Sequence, residues 1–208
     1  MTRQAFLEEP LILSSLDQKW DKSSDCLWSS ATAISGKAVL DHLYPDLRDF
    51  FVGLLGVPEM TARMVYDKLK SRHDETFTSQ EAKGTIMVFN SFLAAAPAPN
   101  SFAPDPVRAN RIFPVRFPDG QVRLCSGQDT FSLQDRKILG KAFGRLANFL
   151  DFDLQELRRL EPFITWAGLG DRYLSISVKE ITSADRESTQ PMSTPYREIR
   201  RKSHALLR

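Results

Sequence analysis

The segment from Ala94 to Asn110 constrains this chain more than any other, because Pro97, Pro99, Pro104 and Pro106 all fall within it. A prolyl nitrogen donates no hydrogen bond, and each ring biases the residue before it toward extended backbone. No long helix or central strand can run through such a stretch. The pattern predicts a linker over 95–110 between a helical subdomain, 26–94, and a small mixed subdomain, 111–181, which together make an α+β fold. An N-terminal arm, 1–25, shows no clear apolar period, and a polar linker with a basic helix, 182–208, closes the chain.

In the first half the helical signals are local. From Pro45, the positions Leu47, Phe50, Phe51, Leu54 and Leu55 follow helical spacing, and Gly56 stands where a left-handed residue ends a helix. Thr61 is placed as the N-cap of a second helix carrying Met64, Val65, Lys68 and Leu69 on one side. Thr78 and Glu81 have capping-box spacing ahead of Ile86, Met87, Phe89, Phe92 and Leu93.

The second half opens on a hairpin signal. Ile112, Val115 and Phe117 precede Pro118-Asp119-Gly120, and Val122, Leu124 and Ser126 alternate after it. Phe131 and Leu133 suggest a further short strand, and Asp135–Phe143 a helix with Ile138, Leu139, Ala142 and Phe143. Asp153 and Glu156 form a second capping box, for a helix that stops before Pro162. A short helical turn holds Phe163, Ile164 and Trp166. The alternation of Ile176, Val178 and Ile181 predicts a closing strand.

Chemistry is mostly excluded. At 208 residues the chain can bury a core without metal or disulfide staples. Cys26 and Cys125 lie far apart, outside any C-x-x-C or Cys/His run, and read as reduced structural thiols. Ala31–Ala38, ATAISGKA, has the Gly-Lys of a phosphate loop, but Ala31 stands where the bend requires glycine and Ala38 where magnesium requires a hydroxyl. It reads as a surface turn. His42, His73 and His204 match no zinc-hydrolase spacing, and His42 beside Asp41 reads as a surface pair. Asp151, Asp153 and Glu156 could be drawn as an acid/base or metal cluster, yet capping accounts for Asp153 and alternate residues of an extended segment point opposite ways. No cofactor is expected. No apolar run approaches a bilayer span and the N-terminus lacks a signal-peptide design, so a cytoplasmic or nuclear location is expected.

What remains are surfaces. Phe163, Trp166, Arg172, Tyr173, Lys179 and Glu180 form the densest aromatic and charged group; Phe163 and Trp166 read as core, leaving Arg172 and Tyr173 as candidate interaction residues. The last 27 residues carry a net charge of +3, leaving −1 for the rest of a chain whose total is +2. Thr194-Pro195 opens a basic helix in which Tyr196, Ile199, Arg200, Arg201, Lys202, Leu206 and Leu207 are further interaction candidates. It ends inside an apolar pattern without a C-cap, as a piece of a longer protein would.

Several of these residues carry a resemblance. Asp25-Cys26-Leu27-Trp28, Tyr44-Pro45-Asp46-Leu47 through Phe50-Phe51, Leu55-Gly56-Val57, Phe113-Pro114-Val115 and Asp119-Gly120 form its first part. Phe131, Asp135-Arg136, Leu150-Asp151-Phe152, Trp166, Arg172-Tyr173-Leu174-Ser175 and Val178-Lys179-Glu180 continue it. Over Asp25–Arg208 the chain resembles a middle segment of large fungal proteins that are similar to sacsin and the plant NO VEIN protein and bear a GHKL-type ATPase domain. The resemblance implies a chaperone-like or scaffolding context. Its nucleotide chemistry does not transfer, since the chain has no D-x-G-x-G motif.

Three functions follow as expectations. A non-catalytic interaction or scaffold segment, binding a protein partner or itself, should expose an apolar patch near Arg172-Tyr173 or the tail. A small cofactor-independent enzyme, an isomerase, cyclase or hydrolase, should have a pocket with converging polar groups such as Asp41, His42, Arg172 or Tyr173. Nucleic-acid binding through the tail is the least expected, because the body is near neutral.

Overall fold

The computed structural model describes residues 2–14, 19–29, 31, 32, 34, 36–71, 77–95 and 102–178. The expected strand residue Ile181, the basic helix with Tyr196 through Leu207, and His73, His204, Pro97 and Pro99 lie outside them. The residues Met1–Val178 make up one compact unit, and its fold is α+β.

The first 25 residues take part in structure that the absence of a period did not suggest. Helix α1 (Thr2–Glu8) is followed by strands β1 (Ile12–Leu13) and β2 (Trp20–Asp21), paired antiparallel. Strands β3 (Cys26–Leu27) and β4 (Ala38–Val39) pair in parallel. Ile12, Cys26, Trp28, Leu40, Phe51, Leu55 and Val57 enclose a small core, with Tyr44 against Phe51 at 4.9 Å between ring centroids. The helix expected after Pro45 is present but wound wider. Asp49–Leu54 is a π-helix in which the Leu55 N–H donates to the Phe50 carbonyl five residues back, at 2.9 Å. The wider turn brings Phe51 and Leu55 to the core and leaves Leu47, Phe50 and Leu54 exposed, whereas α-helical spacing had put all five on one face. Gly56 ends the element with φ +74°, as its position required.

Helix α2 (Ala62–Lys70) begins where the Thr61 hydroxyl accepts the Met64 N–H, and helix α3 (Ser79–Ala95) where Thr78 and Glu81 exchange hydrogen bonds of 2.9 and 3.2 Å. Both caps fall where the sequence placed them. Helix α4 (Asp105–Ala109) occupies part of the proline-bearing segment, because Pro104 and Pro106 stand at its start, where no intrahelical donor is needed. That segment is fastened down. The Tyr66 hydroxyl donates to the Ala103 carbonyl at 3.0 Å and the Trp166 indole N–H to the Phe102 carbonyl at 2.9 Å.

Strands β5 (Phe113–Arg116) and β6 (Val122–Cys125) form the expected hairpin, turned by Gly120 at φ +83°. Helix α5 (Lys137–Phe143) follows, then β7 (Phe149–Leu150), which pairs with the other edge of β5 to give the order β6-β5-β7. Phe131 and Leu133 are buried beside the sheet, joined through single bridges rather than a strand. Helix α6 (Leu154–Arg159) starts on the Asp153–Glu156 capping box and α7 (Glu161–Trp166) on Pro162.

The closing strand is not formed at its described end. Leu174–Ser177 is instead a single helical turn, α8, whose N–H groups are satisfied from outside. The Leu133 carbonyl accepts from Leu174 at 2.9 Å and the Asp135 carboxylate from Ser175 at 3.1 Å. The alternation of Ile176, Val178 and Ile181 carries no information about those partners.

The main core joins both flanks of the proline-bearing segment. Val65 and Leu69 of α2 and Ile86, Phe89 and Leu93 of α3 pack with Phe113, Val115, Leu160, Phe163 and Ile164. Phe89 sits within 5.0 to 6.4 Å of the Trp166, Phe102, Tyr66 and Phe163 rings, a geometry in which edge-on pairs add to simple burial. Phe163 is therefore core, as its spacing indicated.

Candidate functional site

Three polar nodes first show which charged groups serve the fold. Asp151, buried after β7, accepts from Lys83 of α3 at 2.7 Å and from Arg116 of β5. Burial pushes its carboxyl up, but the hydrogen bonds and charges of Lys83 and Arg116 outweigh that and hold it below the usual carboxylate range. Asp153 caps α6 through bonds of 2.7 Å to the Gln155 and Glu156 N–H groups. The two aspartates thus serve different elements, and no metal or acid/base cluster links them. In the second node, Lys68 donates to the Thr32 hydroxyl at 3.1 Å, which meets Thr85 at 3.0 Å. Burial lowers the Lys68 ammonium below the ordinary lysine range.

Arg172 is the third node and a predicted interaction residue. Its guanidinium donates to the carbonyls of Asp129 at 2.7 Å and Gly127 at 2.6 Å and lies 4.4 Å over the Phe131 ring. These bonds turn it inward, where it holds the loop 126–131 against the turn before α8. Tyr173, its neighbour, faces a different environment. It lines an open cleft of about 310 Å³ together with Asp135, Leu154, Leu157, Arg158 and Glu161. The sequence does carry a signal for this cleft: residues 154, 157, 158 and 161 stand at i, i+3, i+4 and i+7, one face of a helix. The break at Pro162 concealed it, because the pattern crosses from α6 into α7.

His42 and Asp41 form the exposed pair expected of them, 3.6 Å apart. Among the described residues no group of three or more His, Cys, Asp or Glu side chains could hold a metal, and no helix is long and apolar enough to cross a membrane.

Among the described residues, exposed large apolar side chains occur in two regions: Leu7, Leu11, Trp20, Leu47, Phe50 and Leu54 about the N-terminal core, and the three most exposed on α5, the loop after it, and α8. Ile138 is 80 % exposed, Leu146 76 % and Ile176 67 %, the highest values among the exposed large apolar side chains. The same segments contribute to a small buried cluster of Leu139, Phe149 and Leu174, with Phe143, Ala147 and Val178 packed against it. Arg136, Lys137, Lys141 and Arg145 are exposed on the same stretch, and residues 136–148 contain no acidic side chain. The elements bearing this surface lie within residues 63–178, which match a family model described as a domain of unknown function, DUF8348. The chain belongs to the DUF8348 family. The matched residues run from the start of α2 to the residue after α8, so the DUF8348 region contains the main core, the cleft and the apolar surface, while the N-terminal core precedes it. No curated protein matches the chain, and no solved structure does.

Proposed function

We propose that this DUF8348 chain is a non-catalytic protein-interaction module that docks an apolar patch of a protein partner, ringed by carboxylates, on the surface formed by α5 and α8. The observation that carries this reading is the high exposure of Ile138, Leu146 and Ile176 on the segments that also supply Leu139, Ala147 and Leu174 to one small buried cluster. Single exposed apolar side chains are ordinary on a protein surface. These three are the most exposed of the large apolar side chains, and their segments meet at one small cluster. Burying an aliphatic side chain of this size contributes about 1.5–3 kcal/mol, so covering what these three still expose supplies roughly 3–7 kcal/mol of gross interaction. That is a hot-spot core rather than a whole interface, and the basic groups of residues 136–145 supply its rim and the sign of the partner's charge.

The resemblance to sacsin-like and NO VEIN-like fungal proteins fits the same reading, with the chain acting as a scaffolding segment in the cytoplasm or nucleus. The test compares wild type with the triple variant I138K/L146K/I176K. Both should unfold at similar denaturant concentrations, because the three side chains bury little. Protein captured from native cells by the wild type should be absent with the variant and should fall away as salt is raised. Identical capture by the two proteins rules the surface out.

A further inference from the structure

The cleft between α6, α7 and the residues flanking α5 and α8 holds charges that the fold does not pair. Among the described residues Asp135, Arg158 and Glu161 form no ion pair; Arg158 and Glu161 are exposed and Asp135 half-buried. Asp135 accepts one backbone hydrogen bond, from Ser175. The hydroxyls of Tyr44 and Tyr66 each donate to a backbone carbonyl, at 2.9 and 3.0 Å; that of Tyr173, on the cleft wall, bonds to none of the described residues. Leu154 supplies the accessible apolar wall, Leu157 being only 2 % exposed, and a volume of about 310 Å³ suits a small metabolite. Two carboxylates and one guanidinium around an alkyl-sized wall have a definite complement: two cationic groups and one carboxylate on an aliphatic chain.

We propose that this cleft binds a free basic α-amino acid of the lysine or ornithine class. The ligand carboxylate meets Arg158 as a bidentate pair, the two ammonium groups meet Asp135 and Glu161, and the methylene chain lies along Leu154. Tyr173 donates its hydroxyl to the ligand. Burial, and after it the charges of Glu161 and Asp135, push the Tyr173 phenol up.

Isothermal titration of the full chain with L-lysine, norleucine, cadaverine and Nα-acetyl-lysine separates the charges. Norleucine lacks the side-chain cation, cadaverine the carboxylate and Nα-acetyl-lysine the α-ammonium, which also distinguishes a free amino acid from the terminal lysine of a peptide. L-Lysine should bind saturably, and each analogue about tenfold more weakly, the scale of one lost charge-assisted bond. R158Q should weaken L-lysine about tenfold without weakening cadaverine, and E161Q should weaken both. Neither side chain bonds within the fold, so circular dichroism of both variants should match wild type; Asp135 is left intact because it also caps α8. Absence of saturable heat at millimolar L-lysine overturns the proposal, as does any analogue binding as tightly as L-lysine.

Discussion

Asn90 lies in the middle of α3, 6 % exposed, and joins two other helices at their break. Its amide donates to the Arg159 carbonyl at 2.8 Å and its oxygen accepts the Phe163 N–H at 3.0 Å. One of those groups is a C-terminal orphan of α6 and the other an N-terminal orphan of α7, so a single side chain caps both helices from a third element. Replacing it with leucine, similar in size and apolar, removes two hydrogen bonds worth about 1 kcal/mol each and strands the buried Phe163 N–H at a further cost of about 1–3 kcal/mol. The added apolar burial offsets about 1 kcal/mol. Asn90→Leu should therefore destabilise the chain by roughly 2–4 kcal/mol, read as a lower urea midpoint with an unchanged slope in equilibrium unfolding followed by circular dichroism. A loss below about 0.5 kcal/mol would show that water or a local shift satisfies both groups, and the double-cap account would be refuted.

Asp151 ties stability to acid. With its carboxyl held below the usual range, its contribution is fully present above the unfolded value of about 3.9 and is lost as pH falls through the lower folded value. Asp151→Asn should flatten that part of the stability–pH curve and destabilise the chain at pH 7 by about 1–3 kcal/mol, since Lys83 keeps a half-buried charge without its partner. Burial, with Asp21 and Asp25 adding to it, pushes the Cys26 thiol up to about 11, so it should resist iodoacetamide at pH 7.5 in the native chain and react within the unfolding transition. Arg172→Lys should cost nearly as much as Arg172→Ala, about 1–2 kcal/mol in urea unfolding, because an ammonium cannot hold the Gly127 and Asp129 carbonyls together while stacked on Phe131. Full rescue by lysine would mean that charge alone matters there.

What the sequence made legible was local. Thr61, Thr78–Glu81 and Asp153–Glu156 each cap a helix through bonds spanning three residues, and Asp119-Gly120 turns a hairpin through contacts as short, so neighbours in sequence carry the information. The rest depends on partners far along the chain. Leu174–Ser177 became helical because Asp135, some forty residues earlier, accepts its N–H, and Phe50 stayed exposed because a π-helical bond shifted the face around Phe51. The α+β class followed from the proline-bearing segment and the hairpin, but that segment separates helices and sheet in sequence while one core, centred on Phe89, joins them. At the candidate sites, Tyr173 was legible as a residue of interest and Arg172 was drawn inward by carbonyls that no motif announces. Sequence spacing places Ile138 on a helix and Ile176 in a strand, and apolar identity alone does not separate core from surface at either.

The interaction surface is tested most directly by placing a photo-crosslinking phenylalanine analogue at position 138, at 176, and at the exposed hairpin position 121, then irradiating the full chain in its native cells. The account predicts a discrete crosslinked protein species from positions 138 and 176 and none from 121. Equal, diffuse labelling from all three positions would contradict it, leaving Ile138, Leu146 and Ile176 as surface residues with no partner to cover them.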